Sequence, residues 1–508
     1  MEDEEARGPD AALRRLRARQ GASRDEANAE ATARRHARGG RTARENLAAL
    51  VDEGSFVELG ELAVAAQRQR RDLADLVAHT QGDGVITGLA TINARRVGER
   101  AARAAVVLND YRVLAGTQGF FHHKKIDRLL GLALRDRLPV VVYTEGGGGR
   151  PGDTDVLTQA SALDVPTFAR WAKLAGTVPR IAVNHGYCFA GNALLFGCAD
   201  LRIATRSSWI GMAGPAMIEA AGLGAFDPKQ IGPAELHARQ GTVDLLVDDE
   251  AAATEAARAV LAILQGRVED YEAASQAPLR EALPVDRRYA YPLRPIVERV
   301  VDAGSLVELG RDHGPAMLTA FGRIEGRPVG LLANDTQANA GAIDAAAAAK
   351  AARFMRACQT HRLPLVSLID TPGFMVGPDS EAQAATHHMS EMFLAGAGLE
   401  VPLVAVVLRK AYGLGAMAMA GGSFSEPRCA AAWPTAEFGA MGIEGAVRLG
   451  YRKELDALDD PEAREARFDE LVKAMYERGS AIEVASMLEI DRVIDPAETR
   501  SLIASIIR

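Results

Sequence analysis

Val51-Asp-Glu-Gly-Ser-Phe-Val-Glu-Leu-Gly60 returns later in the chain as Val301-Asp-Ala-Gly-Ser-Leu-Val-Glu-Leu-Gly310. Further landmarks recur in the same order. Asn109-Asp110 matches Asn334-Asp335 in sequence, and positions 109 and 334 are 225 apart. Arg137 and Arg362, which begin another matching pair of segments, are also 225 apart. Repeats of solenoid proteins span only roughly 20 to 50 residues, so this spacing predicts two copies of a whole domain. The other matching pairs are Arg137-Leu-Pro-Val140 with Arg362-Leu-Pro-Leu365, Val178-Pro179 with Val401-Pro402, and Gly211-Met-Ala-Gly214 with Gly439-Ala-Met-Gly442.

The repeat predicts the domain boundaries. The first copy covers residues 46–265 and the second covers residues 290–508. Residues 266–289 bear prolines and little periodicity, which is typical of a linker. Residues 1–45 are charged and rich in Ala and Arg, which predicts a helix or an arm.

Each copy contains short apolar runs that predict buried strands, and each run is followed by a glycine-rich turn and an Ala-rich helical stretch. This alternation predicts α/β domains with ligand contacts at the strand-to-helix turns. Duplication also suggests a site formed between two copies. The predicted strands are Pro139–Tyr143, Ile181–Val183, Pro364–Ile369 and Pro402–Leu408.

Two pairs of turns are candidates for chemistry. The first pair is Tyr187-Cys-Phe-Ala-Gly-Asn192 and Ala411-Tyr-Gly-Leu-Gly-Ala416, in which Ala190 and Gly415 are 225 apart. N–H groups at a helix N-terminus lack intrahelical partners and can stabilise an oxyanion. The alternative is that the small residues only permit tight packing or a flexible loop. The second pair is Glu145-Gly-Gly-Gly-Gly-Arg150 and Asp370-Thr-Pro-Gly-Phe374.

Composition excludes several classes of function. A net charge of −8 and 5% aromatic residues argue against nucleic-acid binding. Four cysteines without CxxC spacing predict buried thiols rather than disulfides or a metal site. The chain has neither a GxxxxGK[ST] loop nor a GxGxxG fingerprint, so we expect no ATP or NAD site. Without a membrane-spanning apolar run or a signal peptide, we expect a cytoplasmic protein with no membrane contact.

Several ordered stretches resemble the carboxyltransferase (beta) subunits of biotin-dependent acyl-CoA carboxylases, especially the propionyl-CoA type, in the crotonase superfamily. The resemblance runs from about residue 40 to the C-terminus and implies an α/β fold of tandem duplicated crotonase-like (ββα spiral) domains. The stretches that carry it are Gly82-Asp-Gly-Val-Ile-Thr-Gly88, Leu363-Pro-Leu-Val-Ser-Leu-Ile-Asp-Thr-Pro-Gly-Phe374, Arg409-Lys-Ala-Tyr-Gly413, Ala432-Trp-Pro-Thr435 and Val493-Ile-Asp-Pro-Ala-Glu-Thr-Arg500.

The resemblance implies that the first domain holds acyl-CoA and the second receives carboxybiotin, with catalysis between the first domain of one subunit and the second domain of another. It implies a homo-oligomer, commonly a hexamer built from dimers. Because the chain lacks the Met-Lys dipeptide of biotin attachment sites, carboxybiotin is expected in trans, on a biotin carboxyl carrier subunit charged by a biotin carboxylase.

The resemblance also implies the site residues. Ala190 and Gly191 are expected to bind the acyl thioester oxygen as its enolate forms, and Gly415 and Ala416 the ureido oxygen of biotin. In this family CO₂ passes from carboxybiotin to the α-carbon, so backbone amides replace acid–base side chains. Further substrate contacts are expected from Gly147, Gly148, Arg150, Gly373, Phe374, Tyr412, Met417 and Ala418.

Departures from the family pattern leave the acyl group open. Leu414 and Met417 replace the usual Gly and Tyr, and Ala418 lies at the position associated with acyl-chain choice. We therefore hypothesise a substrate larger than acetyl-CoA. Two interpretations of Arg150, Lys124 and Lys125 stay open: the three side chains contact the phosphates of CoA, or they are ordinary solvated charges.

Three other functions remain open at this stage. A relative of this kind can run in reverse as a biotin-dependent decarboxylase of acyl-CoA. A hydratase would need acidic residues at the turns, where none falls convincingly. A non-catalytic CoA-binding scaffold subunit is the third alternative.

Overall fold

The computed structural model describes residues 8–156, 161 and 163–508, and the chain divides into two compact units, Met1–Gln265 and Gly266–Arg508. The predicted linker belongs to the second unit, where Leu279 is buried in the core. The predicted boundary between residues 45 and 46 falls inside a helix that begins after Thr42, whose side chain accepts the N–H of Glu45. The N-terminal arm is therefore part of the first unit.

The strands include all four segments predicted from the apolar runs. Their bounds are β1 Val57–Glu58, β2 Val85–Thr91, β3 Arg103–Asn109, β4 Val140–Tyr143, β5 Arg180–Asn184, β6 Tyr187–Phe189, β7 Leu201–Thr205, β8 Trp209–Gly211, β9 Leu245–Val247, β10 Val307–Leu309, β11 Met317–Ile324, β12 Arg327–Asn334, β13 Leu365–Thr371, β14 Leu403–Tyr412, β15 Cys429–Ala432, β16 Glu437–Gly439 and β17 Arg492–Val493.

The α-helices of the first unit are α1 Pro9–Gly21, α2 Ala29–His36, α3 Ala43–Leu50, α4 Leu73–His79, α5 Ala94–Val97, α6 Glu99–Ala102, α7 Phe120–Asp136, α8 Thr167–Lys173, α9 Gly191–Gly197, α10 Pro215–Ala220, α11 Ala234–Arg239 and α12 Glu250–Leu264. Those of the second unit are α13 Arg294–Val300, α14 Ala345–Thr360, α15 Pro378–Glu381, α16 Ala385–Ala397, α17 Gly413–Met419, α18 Ile443–Gly450, α19 Arg452–Asp456, α20 Pro461–Arg478, α21 Ala481–Ser486 and α22 Thr499–Ile506. Short 3₁₀ helices lie at Glu26–Asn28, Gln81–Gly84, Leu114–Gly116, Pro228–Gln230, Ala277–Glu281, Asn339–Gly341 and Pro496–Glu498.

The two units repeat one sheet topology. In the first, the strand order is β1-β2-β3-β4-β5-β7-β9, and β6 pairs with β8 in a separate ribbon. In the second, the order is β10-β11-β12-β13-β14-β15-β17, and β16 pairs with β14. Each sheet begins with antiparallel pairs and continues with parallel ones, which face helices and are buried on both sides. The predicted α/β fold with tandem domains is confirmed.

Strand register fixes which residues of the two units are equivalent. Val140 pairs with Arg180 in the first unit, whereas Leu365 pairs with Leu403 in the second. Positions 140 and 365 are 225 apart, but positions 180 and 403 are 223 apart. The connection from β13 to β14 is therefore two residues shorter than the connection from β4 to β5. Beyond β4 and β13, equivalent residues of the two units are no longer 225 positions apart.

The core of each unit contains a buried tryptophan. Trp171 donates its indole N–H to the carbonyl of Leu195 at 2.9 Å, and Trp433 donates to Thr499 Oγ1 at 2.9 Å. Each large ring is thus buried with its polar atom satisfied. Among the described residues, no helix is long and apolar enough to cross a membrane.

Candidate active site

In the first unit the two glycine-rich turns are hydrogen-bonded to each other. Gly146 donates its N–H to the carbonyl of Tyr187 at 2.7 Å, and Phe189 donates to the carbonyl of Gly146 at 3.0 Å. A Cβ built on Gly148, where φ is +92°, would lie 2.8 Å from Cβ of Ala190. The turn after β4 therefore requires glycine at position 148, because φ is positive there and Ala190 of the other turn approaches closely.

Most N–H groups of the first turn are already used. Gly147 donates to the carbonyl of Ala115 at 3.0 Å, and Arg150 donates to the carbonyl of Gln118 at 3.0 Å. Gly148 is buried, and its N–H donates to Oδ1 of Asn192 at 3.0 Å. Within the described ranges, the N–H of Gly149 has no protein acceptor.

The second turn corrects one predicted role. Ala190 has a φ of +50°, and its N–H donates to the carbonyl of Gly211 at 3.0 Å, so this N–H is not available to a ligand. Gly191 follows as the first residue of α9, and its N–H has no acceptor in the described part of the chain. Gly149 and Gly191 thus each keep an N–H without a protein acceptor among the described residues at this place.

A cavity of about 1260 Å³ opens beside both turns, and Gly147, Gly149 and Ala190 lie in its wall. Its size is that of a site for a whole cofactor-sized molecule. Phe120, Tyr187, Phe189 and Met217 supply apolar surface, and Lys124, Arg128 and Arg170 supply positive charge.

Two of the predicted phosphate contacts are engaged elsewhere. The buried guanidinium of Arg150 lines the cavity, but it pairs with Asp83 and lies 3.5 Å from Asp153 Oδ1. Lys125 is buried and donates to the carbonyls of Gly82, at 2.8 Å, and of Val85. Burial lowers the pKa of Lys125 to about 8. Both cations are thus paired within the first unit rather than solvated, and their contact with CoA phosphates stays a prediction.

Lys124 is the third predicted phosphate contact. It is exposed, lines the cavity, and its Nζ lies 4.6 Å from the centre of the Phe120 ring. The ammonium group thus has room to reach an anion without losing a buried partner.

His123 lies in the same cavity wall and is held by a chain of hydrogen bonds. Thr167 gives its hydroxyl proton to Asp127 at 2.8 Å and therefore accepts from Nδ1–H of His123 at 2.9 Å. Burial, with a contribution from the nearby Arg150 charge, lowers the pKa of His123 to about 4. The imidazole is consequently neutral near pH 7.

A buried cluster of charges lies at the base of both turns. Arg35 of α2 donates to Glu145 Oε1 at 2.8 Å, to Glu250 Oε1 at 3.2 Å, and lies 3.0 Å from Nδ1 of His185. Burial raises the pKa of Glu145 despite the neighbouring cations. Glu145 begins the first turn and His185 precedes the second, so the N-terminal arm braces both.

The second unit has an equivalent brace. Asp370, at 0% exposure, accepts from the hydroxyl of Tyr291 at 2.8 Å and from Nε of Arg409 at 3.0 Å. The N–H of Lys410 also donates to this carboxylate, at 3.1 Å. Positions 145 and 370, which are 225 apart, thus both hold an acid in a buried hydrogen-bonded cluster.

The strand pairs correct the equivalence of Ala190 and Gly415. Phe189 pairs with Gly211, as Tyr412 pairs with Gly439, so Ala190 corresponds to Gly413, which has a φ of +58°. Gly415 corresponds instead to Asn192. The physical reason is the two-residue difference between the copies upstream of these turns.

Gly415 nevertheless lies at the second pair of turns. A Cβ at this position would lie 2.7 Å from the carbonyl carbon of Gly373 and 2.9 Å from the nitrogen of Phe374. Among the described residues, the N–H groups of Phe374, Leu414 and Gly415 have no protein acceptor. Helix α17 begins at Gly413, which places Ala416 at the position where intrahelical bonding starts.

Four further predicted contacts differ in accessibility. Tyr412 is buried and donates its hydroxyl to Glu437 Oε1 at 2.6 Å. Ala418 is 0% exposed, so its small size does not open space at the surface of the second unit. Met417 and Phe374 are both half-buried.

Sequence reasoning missed Gln118 and Asn192. Both are buried, with 3% and 0% exposure, and both contact the glycine turns. The available signal was position in the sequence. Asn192 follows Gly191 in the second turn, and Gln118 lies two residues after Ala115-Gly116, which recurs as Ala340-Gly341 in the second copy.

The chain matches the carboxyl transferase domain family over residues 34–507. It is 32% identical to the methylmalonyl-CoA carboxyltransferase 12S subunit of Propionibacterium freudenreichii subsp. shermanii, over 93% of this chain and 89% of that protein. A single-chain, multi-domain long-chain acyl-CoA carboxylase structure has 51% identity and a TM-score of 0.92, covering 98% of this chain and 49% of that one. This chain thus spans about half of that protein. The transcarboxylase 12S crystal structure with bound methylmalonyl-CoA has 29% identity, a TM-score of 0.86, and coverage of 98% and 95%.

The fold and the turns define a carboxyltransferase, and the chain belongs to the carboxyl transferase domain family. It is an enzyme of the biotin-dependent acyl-CoA carboxyltransferase class. The resemblance drawn from the sequence is confirmed.

Proposed function

We propose that this chain transfers CO₂ from carboxybiotin, carried by another protein or domain, to the α-carbon of an acyl-CoA through an enolate, and that the α-proton passes to the biotin nitrogen that releases the CO₂. The observation that carries the proposal is the pair of unpartnered N–H groups, Gly149 and Gly191, beside a cavity of about 1260 Å³. In this proposal the two N–H groups donate to the thioester oxygen and stabilise the negative charge that develops on it.

The first unit supplies acyl-CoA binding in this proposal. Lys124 and Arg128 are assigned to the CoA phosphates, and the aromatic wall to the apolar parts of the ligand. Arg170 lines the same cavity, but its guanidinium also donates to the carbonyl of Asp127 at 3.3 Å. The second unit supplies the carboxybiotin side. There, the N–H groups of Phe374, Leu414 and Gly415 are the candidate donors to the ureido oxygen, replacing the Gly415 and Ala416 pair expected from the sequence.

The proposed acyl group is larger than acetyl. Two observations support this: the volume of the cavity, and 51% identity to a long-chain acyl-CoA carboxylase. Phe189 and Met217 give the cavity apolar surface near Ala190. Because burying each methylene contributes about 0.8 kcal/mol, longer chains would bind more tightly to such a surface.

We also propose a biotin carboxylase and a biotin carboxyl carrier as partners. The chain is further proposed to form a homo-oligomer in which the first domain of one subunit faces the second domain of another. A hexamer is favoured because the transcarboxylase 12S relative is described as a hexamer. Closed symmetric assembly is common for enzymes built this way.

The test is reconstitution. The purified chain is mixed with a biotinylated carrier, biotin carboxylase, ATP and labelled bicarbonate, and labelled carboxyl-CoA is measured across acetyl- to long-chain acyl-CoA. We expect transfer that depends on the carrier and favours chains longer than acetyl. CoA binding without transfer to any acyl-CoA would contradict carboxyl transfer, and preferred turnover of acetyl-CoA would contradict the proposed acyl class.

A further inference from the structure

Gln118 is a buried amide side chain between the two turns of the first unit. Its backbone N–H donates to the carbonyl of Gly148 at 2.7 Å, and its own carbonyl accepts from Arg150 at 3.0 Å. Its side-chain Oε1 lies so close to Gly191 that a Cβ on that glycine would collide with it. The backbone of Gln118 thus flanks Gly149 in the first turn, and its side-chain amide lies beside Gly191 in the second.

The amide of Gln118 is not satisfied by the protein. Its Nε2 is buried without a hydrogen-bond partner, although the residue lies in the cavity wall and is only 3% exposed. An unpaired buried polar group destabilises the folded state, so it needs a compensating partner. Rotation by 180° about the last torsion exchanges the amide N and O with little change of shape, so an N–H can be presented beside Gly191.

The second unit provides an internal comparison. Ile343 makes the same backbone contacts as Gln118: its N–H donates to Gly373 at 3.0 Å, and its carbonyl accepts from Met375 at 2.9 Å. Ile343 is apolar and 0% exposed. The backbone arrangement thus does not require an amide, and the polar side chain is specific to the copy that contains the cavity.

We propose that Gln118 is a catalytic residue whose side-chain amide donates to the thioester oxygen of acyl-CoA as the enolate forms, together with the N–H groups of Gly149 and Gly191. This rests on the proposed function of the first unit. A donor that engages only the developing oxyanion stabilises the transition state more than bound substrate, so its loss lowers kcat rather than affinity.

Two variants separate this role from packing. Gln118→Leu removes the amide and keeps much of the volume. Gln118→Glu keeps the shape but presents a carboxylate, which repels an enolate when it is ionised. Gln240→Leu, an exposed glutamine at the end of α11, is the matched control.

Binding is measured by calorimetry for CoA and for a nitronate analogue of the acyl-CoA enolate, and carboxyl transfer is measured in parallel. We expect both Gln118 variants to bind CoA within about threefold of wild type, which also reports folding. We expect them to lose at least about tenfold in nitronate affinity and in kcat. Gln240→Leu should match wild type in all three measurements.

Nitronate affinity of Gln118→Leu within threefold of wild type would overturn the role of Gln118 while leaving the turns intact. Equal losses for CoA and nitronate would also overturn it, because they would indicate ground-state binding or misfolding. If wild type binds nitronate no more tightly than CoA, the proposed enolate site fails, and the Gln118 role fails with it.

Discussion

Asn192 Oδ1 accepts the N–H of Gly148 at 3.0 Å, so a side chain in the first turn of α9 fixes the backbone of the turn after β4. Asn192 is fully buried, and its partner is a buried glycine with positive φ. The hydrogen bond occupies the N–H that precedes Gly149. It thereby determines which amide of the glycine run remains available.

Asn192→Leu is expected to reduce kcat for carboxyl transfer at least about tenfold. Loss of the acceptor leaves a buried N–H unpaired, at a cost of about 1–3 kcal/mol, which favours a different conformation of the turn. Asn192→Asp retains the acceptor oxygen and should keep more activity than the leucine variant. Steady-state kinetics, with CoA affinity as the folding check, test this; equal activity of Asn192→Leu and wild type would contradict it.

Gly415→Ala is expected to impair transfer from carboxybiotin without weakening CoA binding. The new methyl group would press on the backbone of Gly373 and on the nitrogen of Phe374 at 2.7 to 2.9 Å, and the backbone must move. Gly442→Ala is the control in the same unit, because no heavy atom lies within 4 Å of its built Cβ. Transfer rates and CoA dissociation constants are measured for both. Unchanged transfer by Gly415→Ala would show that the contact is not needed.

Arg35→Ala is expected to lower the free energy of unfolding by about 3–5 kcal/mol, because it leaves Glu145 and Glu250 without their shared cation in a buried cluster. Arg34→Ala, on the same helix, removes an exposed pair with Glu30 and should cost less than about 0.5 kcal/mol. Denaturant unfolding compares the two. Similar losses for both variants would mean that the arm does not brace the turns.

His123 is expected to make the folded state less stable as pH falls from about 6.5 to about 4. Its pKa is about 4 in the folded protein and ordinarily about 6.5, so in this window the unfolded chain binds a proton that the folded chain does not. His123→Asn should therefore show a shallower loss of stability over this range than wild type. His387→Asn, at an exposed position, should keep the wild-type slope. Identical slopes for wild type and His123→Asn would contradict a lowered pKa.

Local patterns in the chain predicted much of this fold. Apolar runs such as Pro364–Ile369 predicted the buried strands, and the repeat of Val51–Gly60 at Val301–Gly310 predicted the duplication. Both succeed because strand burial and turn conformation depend on neighbouring residues, and because a duplicated sequence forms a duplicated fold. The glycine turns were also evident from the sequence, since close backbone approach selects against side chains.

Tertiary structure alone decided which atoms of those turns are free to act. The N–H of Ala190 is taken by Gly211 and that of Gly148 by Asn192, whereas the charge of Arg150 is taken by Asp83. Hydrogen-bond partners of this kind lie tens of residues away, and a two-residue difference between the copies moved Gly415 out of register with Ala190. The sequence therefore determined the class of fold and the position of the turns, and long-range pairing determined their donors, because a polar group is available to a ligand only when the folded chain leaves it unpaired.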